Sequence, residues 1–259
     1  MKFIITGGEG FIGKALALTL KKRGIEVLSV DRLNGMEAGE YFMSADLSGI
    51  SCVYHLAAQT SVFNKNKSDI IHDNIEVFKI VCDACARQGV KLVYASSSTA
   101  SEGNTTSLYG ISKRFNEDYA RCYYPSAVGV RFHNVYGPNP RHGTLLWHLL
   151  NNERVKLYNN GRNVRHFTWI GDIVEALIFA YGSNTTLMNA ANPEIITTLH
   201  LAEIVSKYKP LEIELVDEIR DFDRKEQSVN ESVYTVPLQY TSVAEGIKRI
   251  FHNEELSRP

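Results

Sequence analysis

A tyrosine and a lysine four residues apart are the first side chains in this sequence whose spacing could support catalysis. In the segment Y-G-I-S-K, Tyr109 and Lys113 occupy positions i and i+4 of a helix predicted over residues 107–124, so they share one helix face. An ammonium group beside a phenol favours phenolate and lowers a pKa that is otherwise about 10. The pattern therefore predicts a tyrosine that acts as a general base near neutral pH.

A run of hydroxyl side chains, Ser96-Ser97-Ser98-Thr99, precedes this helix at the end of a strand predicted over residues 91–95. A hydroxyl at this place can hydrogen-bond the substrate oxygen that Tyr109 deprotonates. Ser98 is the favoured residue, with Thr99 as the alternative. Because Tyr-x-x-x-Lys matches are common on helices, the interpretation depends on a cofactor site elsewhere in the chain.

The chain opens on a pattern typical of dinucleotide binding. A short apolar run over residues 3–5 predicts a buried parallel strand, and Gly7, Gly10 and Gly13 follow before a helical pattern over residues 14–23. Strand, glycine turn and helix form the context that raises such a motif above chance. Gly7 permits the tight turn and Gly10 lets backbone N–H groups approach a pyrophosphate, which the helix dipole then stabilises.

Two aspartates further along the chain indicate which nucleotide would bind. Asp31 follows a strand predicted over residues 26–30, where a carboxylate accepts both adenosine ribose hydroxyls and repels a 2′-phosphate. This favours NAD over NADP, although Arg32 comes next and could soften the preference. Asp46 ends a short edge strand predicted over residues 41–45 and could accept the adenine amino group; a simple surface aspartate is the alternative.

The elements that must position these residues alternate along the chain as strands and helices. The predicted strands cover residues 3–5, 26–30, 41–45, 53–58, 91–95 and 128–132, and the longest predicted helices cover 14–23, 69–88 and 107–124. Such alternation predicts an α/β fold, a doubly wound parallel sheet of the Rossmann type with right-handed crossovers. Ligands of such sheets bind beyond the carboxyl ends of the strands, which is where the polar clusters fall.

Beyond Asn134 the predicted helices and strands become shorter, and a loop containing two prolines begins. We expect residues 1–139 and 163–192 to form the dinucleotide-binding domain. Residues 140–162 and 193–259 are expected to form a smaller, C-terminal substrate-binding lobe.

The composition argues against several classes of partner. A net charge of −1 gives no support for binding to nucleic acid or to an anionic membrane. A membrane span needs about 18 consecutive apolar residues, and no apolar run in the sequence is that long. Cys82 and Cys85 form a C-x-x-C inside a predicted helix without a second ligand pair. We interpret all four cysteines as reduced thiols, expect no metal site, and expect a cytoplasmic protein.

Six segments together resemble the extended short-chain dehydrogenase/reductase family, and within it the NAD-dependent nucleotide-sugar epimerases and dehydratases. The segments run in order over residues 1 to about 190 and read T-G-G-E-G-F-I-G, H-L-A-A, S-S-S, Y-G-I-S-K, R-F-H-N-V-Y-G-P and R-H-F-T-W-I-G-D. The resemblance implies NAD as the cofactor and a nucleotide-sugar, foremost a UDP-sugar, as the substrate.

The resemblance also assigns roles to individual residues. It makes Tyr109 the base, Lys113 the residue that tunes it and holds the nicotinamide ribose, and Ser98 the residue that positions the sugar hydroxyl. Asn134 and Arg165 match residues that contact the substrate diphosphate, although Arg165 could be a surface arginine near Asp172. The implied NAD-lining residues are Gly7, Gly10, Phe11, Ile12, Asp31, Asp46, Leu47, Ala57 and Lys113.

The same resemblance implies a homodimer through the two long helices of residues 69–88 and 107–124. These helices carry more apolar side chains than one sheet face needs, including Phe78, Phe115, Tyr119 and Tyr123. The alternative is that they only pack on the sheet.

The sequence departs from the family pattern at one informative place. Dehydratases of the family carry an Asp-Glu pair after the hydroxyl residue, whereas Ala100-Ser101 stands here. The remaining Ser/Tyr/Lys set suffices to move a hydride on and off a carbinol carbon, so we expect a 4-epimerase that works through a transient 4-keto sugar. The alternatives are a 4-keto-sugar reductase, a dehydratase, or a non-catalytic dinucleotide-binding regulator. The family's R-P-G-D segment has no recognisable counterpart in residues 219–230, where Arg224 is taken as the candidate for its arginine.

Overall fold

A computed structural model describes residues 1–60, 66–220 and 225–253 of the protein. The strands are β1 (Lys2–Thr6), β2 (Glu26–Val30), β3 (Ile50–His55), β4 (Lys91–Ser97), β5 (Val128–Phe132), β6 (Val135–Tyr136), β7 (Arg154–Tyr158), β8 (Val164–Arg165), β9 (Thr168–Trp169), β10 (Leu187–Ala190), β11 (Ile196–Thr197), β12 (Glu212–Val216) and β13 (Tyr234–Thr235). The helices are α1 (Phe11–Lys22), α2 (Ala38–Ser44), α3 (Lys67–Ile71), α4 (Val77–Gln88), α5 (Leu108–Tyr123), α6 (Leu145–Asn151), α7 (Ile170–Tyr181), α8 (Thr198–Ser206) and α9 (Val243–His252).

Seven of the described strands form one sheet in the order β13-β10-β5-β4-β3-β1-β2, and every neighbouring pair in it is parallel. This confirms the predicted doubly wound α/β fold. From β1 the chain adds β2 on one side and then returns to add β3 on the other, so the strand order reverses at β1. The crevice at such a reversal is the ligand-binding position of these sheets.

Helices cover both faces of the sheet because its central strands are apolar on both sides. Phe3, Ile4 and Ile5 of β1 are at most 2% exposed and divide between two hydrophobic clusters. One cluster includes α1 and α7, and the other includes α2 and α4. Phe78 of α4 is completely buried in the second cluster, so the expectation that it contributes exposed apolar surface is wrong.

The structure corrects the prediction of an edge strand over residues 41–45. This segment belongs to α2, which begins after Glu37, whose carboxylate accepts the Glu40 N–H over 2.8 Å. Phe42 of α2 is fully buried in the cluster that also contains α4. Tertiary burial on one side of a helix therefore outweighs the strand preference of Tyr and Phe in this segment.

The long helix predicted over residues 69–88 contains one π-helical segment, His72–Glu76, which joins α3 to α4. It ends at Gly89, whose left-handed backbone terminates the helix as expected. At the start of α7, by contrast, Asp172 does not cap the helix; its carboxylate accepts hydrogen bonds from Thr241 instead.

The remaining described strands form two-stranded sheets: β7 with β12, β8 with β11, and β6 with β9. The pair β7–β12 lies in segments that were assigned to the small lobe, and the division into domains stays a prediction. Within the described residues, no helix combines the length and the apolar character that crossing a bilayer requires.

Candidate active site

A cleft of about 1080 Å³ opens at the carboxyl ends of the sheet strands. The loops after β1, β2, β3 and β4 line it on one side, and residues between Asn134 and Arg165, together with Thr198, Arg220 and Gln227, line it on the other. Most of the predicted site residues lie in its wall: Gly7, Gly10, Phe11, Ile12, Asp31, Ala57, Ser98, Thr99, Tyr109, Lys113, Asn134 and Arg165.

The glycine turn after β1 leaves the amino end of α1 open toward the cleft. Gly7 has φ +68°, and a Cβ there would lie 2.7 Å from the Ala57 nitrogen, so only glycine fits. Gly10 precedes α1, and neither a capping side chain nor an acidic residue occupies the first turn of this helix. The first N–H groups of α1 and its dipole are therefore suited to a pyrophosphate.

Carboxylates cluster at the end of the cleft that follows β2. The two oxygens of Asp31 accept hydrogen bonds from the backbone N–H groups of Glu9 (3.0 Å) and Leu33 (2.9 Å), which hold the side chain in place. Glu37 and Asp73 line the same end, and Arg32 lies between them. This geometry suits hydroxyl donors such as those of a ribose.

Tyr109 and Lys113 of α5 both line the cleft, as the i, i+4 spacing predicts. The Lys113 ammonium is 2% exposed, donates to the Ala95 carbonyl over 3.1 Å and lies 6.0 Å from the centroid of the Tyr109 ring. Burial lowers the pKa of Lys113 to about 8, against the opposing charge of Glu117. Burial also raises the pKa of Tyr109, and this outweighs the lowering by Ser97 and Arg141. The net shift of the Tyr109 pKa is therefore upward, the reverse of the lowering that we expected Lys113 to cause.

The hydroxyl that lowers the pKa of Tyr109 is that of Ser97, one residue before the favoured Ser98. Ser97 also accepts hydrogen bonds from the N–H (3.2 Å) and the hydroxyl (2.9 Å) of Thr99. Its backbone is extended, with φ −148° and ψ 149°, so Ser98 presents its side chain in another direction. Ser98 and Thr99 still line the cleft.

Cations gather at the other end of the cleft, in residues that follow β5 and in the small lobe. Arg165 is 7% exposed and donates to the Val164 carbonyl over 2.8 Å, so it is not a surface arginine. Asn134 has a left-handed backbone and donates to the side chain of Gln227 over 2.9 Å. The cationic residues that line this end are Arg141, Arg154, Lys156, Arg165 and Arg220.

A protein-family model described as the NAD dependent epimerase/dehydratase family matches residues 3–191 of this chain. The chain belongs to this family. The resemblance that we read from the motifs is therefore confirmed, and the cofactor of this epimerase/dehydratase family member is NAD.

A curated relative and two solved structures are similar to this family member. Protein CapI of Staphylococcus aureus is 31% identical over an alignment of 227 residues, and the match covers 68% of this chain and 68% of that protein. The NAD-dependent NDP-hexosamine 5,6-dehydratase TunA has a TM-score of 0.83 at 25% identity, over 97% of this chain and 96% of that chain. The UDP-glucose 4-epimerase of Thermus thermophilus in complex with NAD has a TM-score of 0.80 at 24% identity, over 98% of both chains.

The residues present fit NAD as the cofactor of this family member. The uncapped amino end of α1 would hold the pyrophosphate, Asp31 the adenosine ribose, and Lys113 the nicotinamide ribose. Met36, Leu56 and Val77 add apolar walls near Asp31 that suit an adenine ring.

Two predicted cofactor residues lie away from the described cleft wall. Asp46 is exposed, and its carboxylate accepts the N–H and the hydroxyl of Ser48, both over 2.9 Å, which lowers its pKa. Leu47 is 1% exposed in the core. Because residues 41–44 form the end of α2, the chain leaves this helix with the Asp46 carboxylate bonded to Ser48, and neither Asp46 nor Leu47 lines the described cleft.

Asn74, which the sequence analysis missed, connects the cleft wall to the catalytic helix of this epimerase/dehydratase. The π-helical segment His72–Glu76 carries it, and it is 1% exposed. Its side chain accepts the Gln59 N–H over 2.7 Å and donates to the Gln59 carbonyl and to the Ser112 hydroxyl, both over 3.0 Å. The π-helical geometry, a common mark of functional segments, has no signature that could be read from the sequence. Arg224 lies outside the described residues.

Proposed function

We propose that this protein is an NAD-dependent nucleotide-sugar 4-epimerase, with a UDP-sugar as its substrate and a 4-keto sugar as the transient intermediate. The observation that carries the proposal is the composition of the cleft around Tyr109. The described residues around Tyr109 supply a base, a lysine and hydroxyls, and the carboxylates among the described lining residues lie at the opposite, adenosine end.

The carboxylates that do line the described cleft are Asp31, Glu37 and Asp73, all at the adenosine end. Where dehydratases of the family carry Asp-Glu, Ala100 is buried and the Ser101 hydroxyl accepts a hydrogen bond from Arg131 over 2.9 Å. Loss of water across C5 and C6 needs a base and an acid at these carbons. A 4-epimerase needs neither, because it breaks and remakes only the C4–H bond.

The residues of the chain supply the proton chemistry of this reaction. Tyr109 takes the proton of the sugar C4 hydroxyl as C4 becomes a ketone, and returns it when the carbinol forms again. The hydroxyl of Ser97 hydrogen-bonds the same oxygen and holds it toward the phenol. Bound NAD supplies the acceptor, and afterwards the donor, of the C4 hydride, so it is regenerated in each cycle.

The cations at the far end of the cleft support a nucleotide diphosphate as the anchoring group. Arg165 and Arg220 present guanidinium groups, which bind phosphate oxygens in bidentate geometry. An anchored diphosphate leaves the sugar free to turn over, which 4-epimerisation requires. Two structural neighbours are a UDP-glucose 4-epimerase and a UDP-glucuronic acid 4-epimerase, which agrees with this substrate class.

Three alternatives predict different results. A 5,6-dehydratase is among the structural neighbours, and a dehydratase would release a 6-deoxy-4-keto sugar. A 4-keto-sugar reductase would consume reduced cofactor stoichiometrically, which is visible at the reduced-nicotinamide absorbance band. A non-catalytic regulator would retain NAD without turnover of any nucleotide-sugar.

The deciding experiment is turnover of UDP-sugars in heavy water, followed by NMR of the product. The proposal predicts an inverted C4 centre without deuterium at C4 or C5, because the migrating hydrogen never exchanges with solvent. Deuterium at C5 or a 6-deoxy-4-keto product would show that another residue supplies dehydratase chemistry, and the proposal would be wrong.

A further inference from the structure

Helix α5 carries a third polar residue on the face of Tyr109 and Lys113. Glu117 stands one turn beyond Lys113, and its side chain is 9% exposed. Its carboxylate accepts two hydrogen bonds from Arg131 of β5, from Nε over 2.8 Å and from Nη2 over 2.7 Å. The Arg131 side chain is 7% exposed, so both charges of this ion pair are buried.

Two serines extend this ion pair to the hydroxyl segment. The Ser96 hydroxyl donates to Glu117 Oε1 over 2.5 Å, and Arg131 Nη1 donates to the Ser101 hydroxyl over 2.9 Å. Ser96 directly precedes residues 97–100, and Ser101 directly follows them. The ion pair therefore holds both ends of the segment that brings the substrate-facing hydroxyls into the cleft.

We propose that Glu117 and Arg131 are positioning residues that set the distance between the Tyr109 phenol and the hydroxyl of Ser97. The carboxylate belongs to the helix that carries the base, and the guanidinium belongs to the strand beside β4. Through Ser96 and Ser101 the pair ties that helix to residues 97–100. A shift of the helix against this segment would separate the phenol from the hydroxyl.

The energetics of buried ion pairs support a role beyond stability. Apolar residues of similar volume are often as stabilising as a buried ion pair, since two charges must be desolvated. The pair is directional, however, and its forked geometry fixes α5 relative to the hydroxyl segment more closely than apolar packing would. Catalysis is sensitive at this scale, because a misplacement of about 1 Å can cost about 100-fold in rate.

The test uses Ser96→Ala, which removes one hydroxyl from the buried Glu117 carboxylate and leaves the ion pair itself in place. The matched control is Thr241→Val, which removes a hydroxyl donor from another buried carboxylate, that of Asp172, outside the described cleft wall. Both variants should lower the melting temperature similarly. Only Ser96→Ala should lower kcat, by about 10- to 100-fold, while KM for the nucleotide-sugar and the affinity for NAD stay unchanged.

A second readout does not depend on turnover, so it separates this inference from the proposed function on which the kinetic test rests. In protein labelled with ¹³C at the tyrosine ζ carbon, comparison with Tyr109→Phe assigns the Tyr109 resonance, and its titration gives the phenol pKa. Ser96→Ala should raise this pKa, because the interaction with Ser97 is weakened, and Thr241→Val should not. Ser101→Ala should act in the same direction as Ser96→Ala.

Equal kcat and equal Tyr109 pKa in Ser96→Ala and Thr241→Val would overturn the inference. So would a loss of activity that appears only in KM, since positioning of a base acts on the chemical step. If the wild type converts no UDP-sugar, the proposed function fails, and the Tyr109 titration alone decides the positioning role.

Discussion

The guanidinium of Arg32 donates two hydrogen bonds, of 3.0 and 2.6 Å, to the carboxylate of Asp73, and it lies 3.4 Å from the carboxylate of Glu37. Burial raises the pKa of Asp73, but the hydrogen bonds from Arg32, His72 and Gln59 and the charge of Arg32 together lower it to about 2. The cation that follows Asp31 is therefore already engaged by two carboxylates. Arg32 softens the preference of Asp31 for NAD less than its sequence position suggests.

The first prediction concerns the choice of cofactor. The wild type should bind NAD more tightly than NADP, because Asp31, Glu37 and Asp73 surround the ribose position with negative charge. Asp31→Ser should narrow this gap, as measured by calorimetric titration with both nucleotides. Asp46→Ser is the control and should leave both affinities unchanged, since Asp46 is bonded to Ser48. Equal affinities of the wild type would contradict the assignment of Asp31.

The second prediction concerns the catalytic hydroxyls. Tyr109→Phe should retain NAD while turnover falls by about 10²- to 10⁴-fold, the usual contribution of general acid–base catalysis. Ser97→Ala should lower turnover more than Ser98→Ala, because Ser97 interacts with the phenol. Steady-state kinetics of the three variants provide the measurement. A larger loss in Ser98→Ala would restore the ranking that the sequence favoured.

The third prediction concerns assembly. Ile111, Phe115 and Tyr123 of α5 are 54%, 37% and 65% exposed, and they form one stripe with Tyr119, whose ring contacts both Phe115 and Tyr123. We expect this stripe to pair two copies of the chain. The double variant Ile111→Glu/Tyr123→Glu should then be monomeric by light scattering, while Leu18→Glu, at a 49% exposed position of α1, stays dimeric. A monomeric wild type at micromolar concentration would exclude the dimer.

The fourth prediction concerns stability at mildly acidic pH. Burial, with the charge of Lys113, lowers the pKa of His55 from 6.5 to about 3, and burial with the charge of His166 does the same for His133. The unfolded chain binds these protons first. The stabilisation is therefore complete above pH about 6.5 and is lost as the pH falls toward 3.

Each of these histidines should contribute up to about 1.4 kcal/mol per pH unit to the slope of the unfolding free energy. Urea unfolding between pH 6.5 and 5, above the range of most carboxylates, measures this slope. His55→Gln removes one of the two titrating groups, so it should reduce the slope by the contribution of one histidine. This holds whatever effect the substitution has on the unfolding free energy at pH 7. An unchanged slope in this variant would show that His55 titrates alike in both states.

The sequence predicted elements well where a local pattern and its ends agree. The predicted bounds of β2 and β5 match the structure, since each is a short apolar run with turn residues at its ends. It failed over residues 41–45, where tertiary packing decides between helix and strand. The buried Phe42 packs in a cluster with residues of α4 that are far from it in the sequence.

The candidate site divides in the same way. Tyr109, Lys113 and the glycine turn depend on spacing within one element, so the sequence predicts their shared position. The distinction between Ser97 and Ser98 depends on which way adjacent side chains point at the end of β4, and composition carries no information about that. Gln227 reaches Asn134 across 93 residues, and no periodic pattern connects positions so far apart.

The cleft separates its charges, with carboxylates near Asp31 and arginines near Arg165, and this arrangement has a kinetic consequence. The low-dielectric walls of the cleft focus the electric field of these charges, which attracts an incoming dianion to the arginine end and repels it from the carboxylates. A nucleotide diphosphate is thereby oriented during its approach, before any contact forms. Salt shortens the range of this field to a Debye length of about 8 Å at physiological ionic strength, so added salt slows the capture of the substrate more than its release.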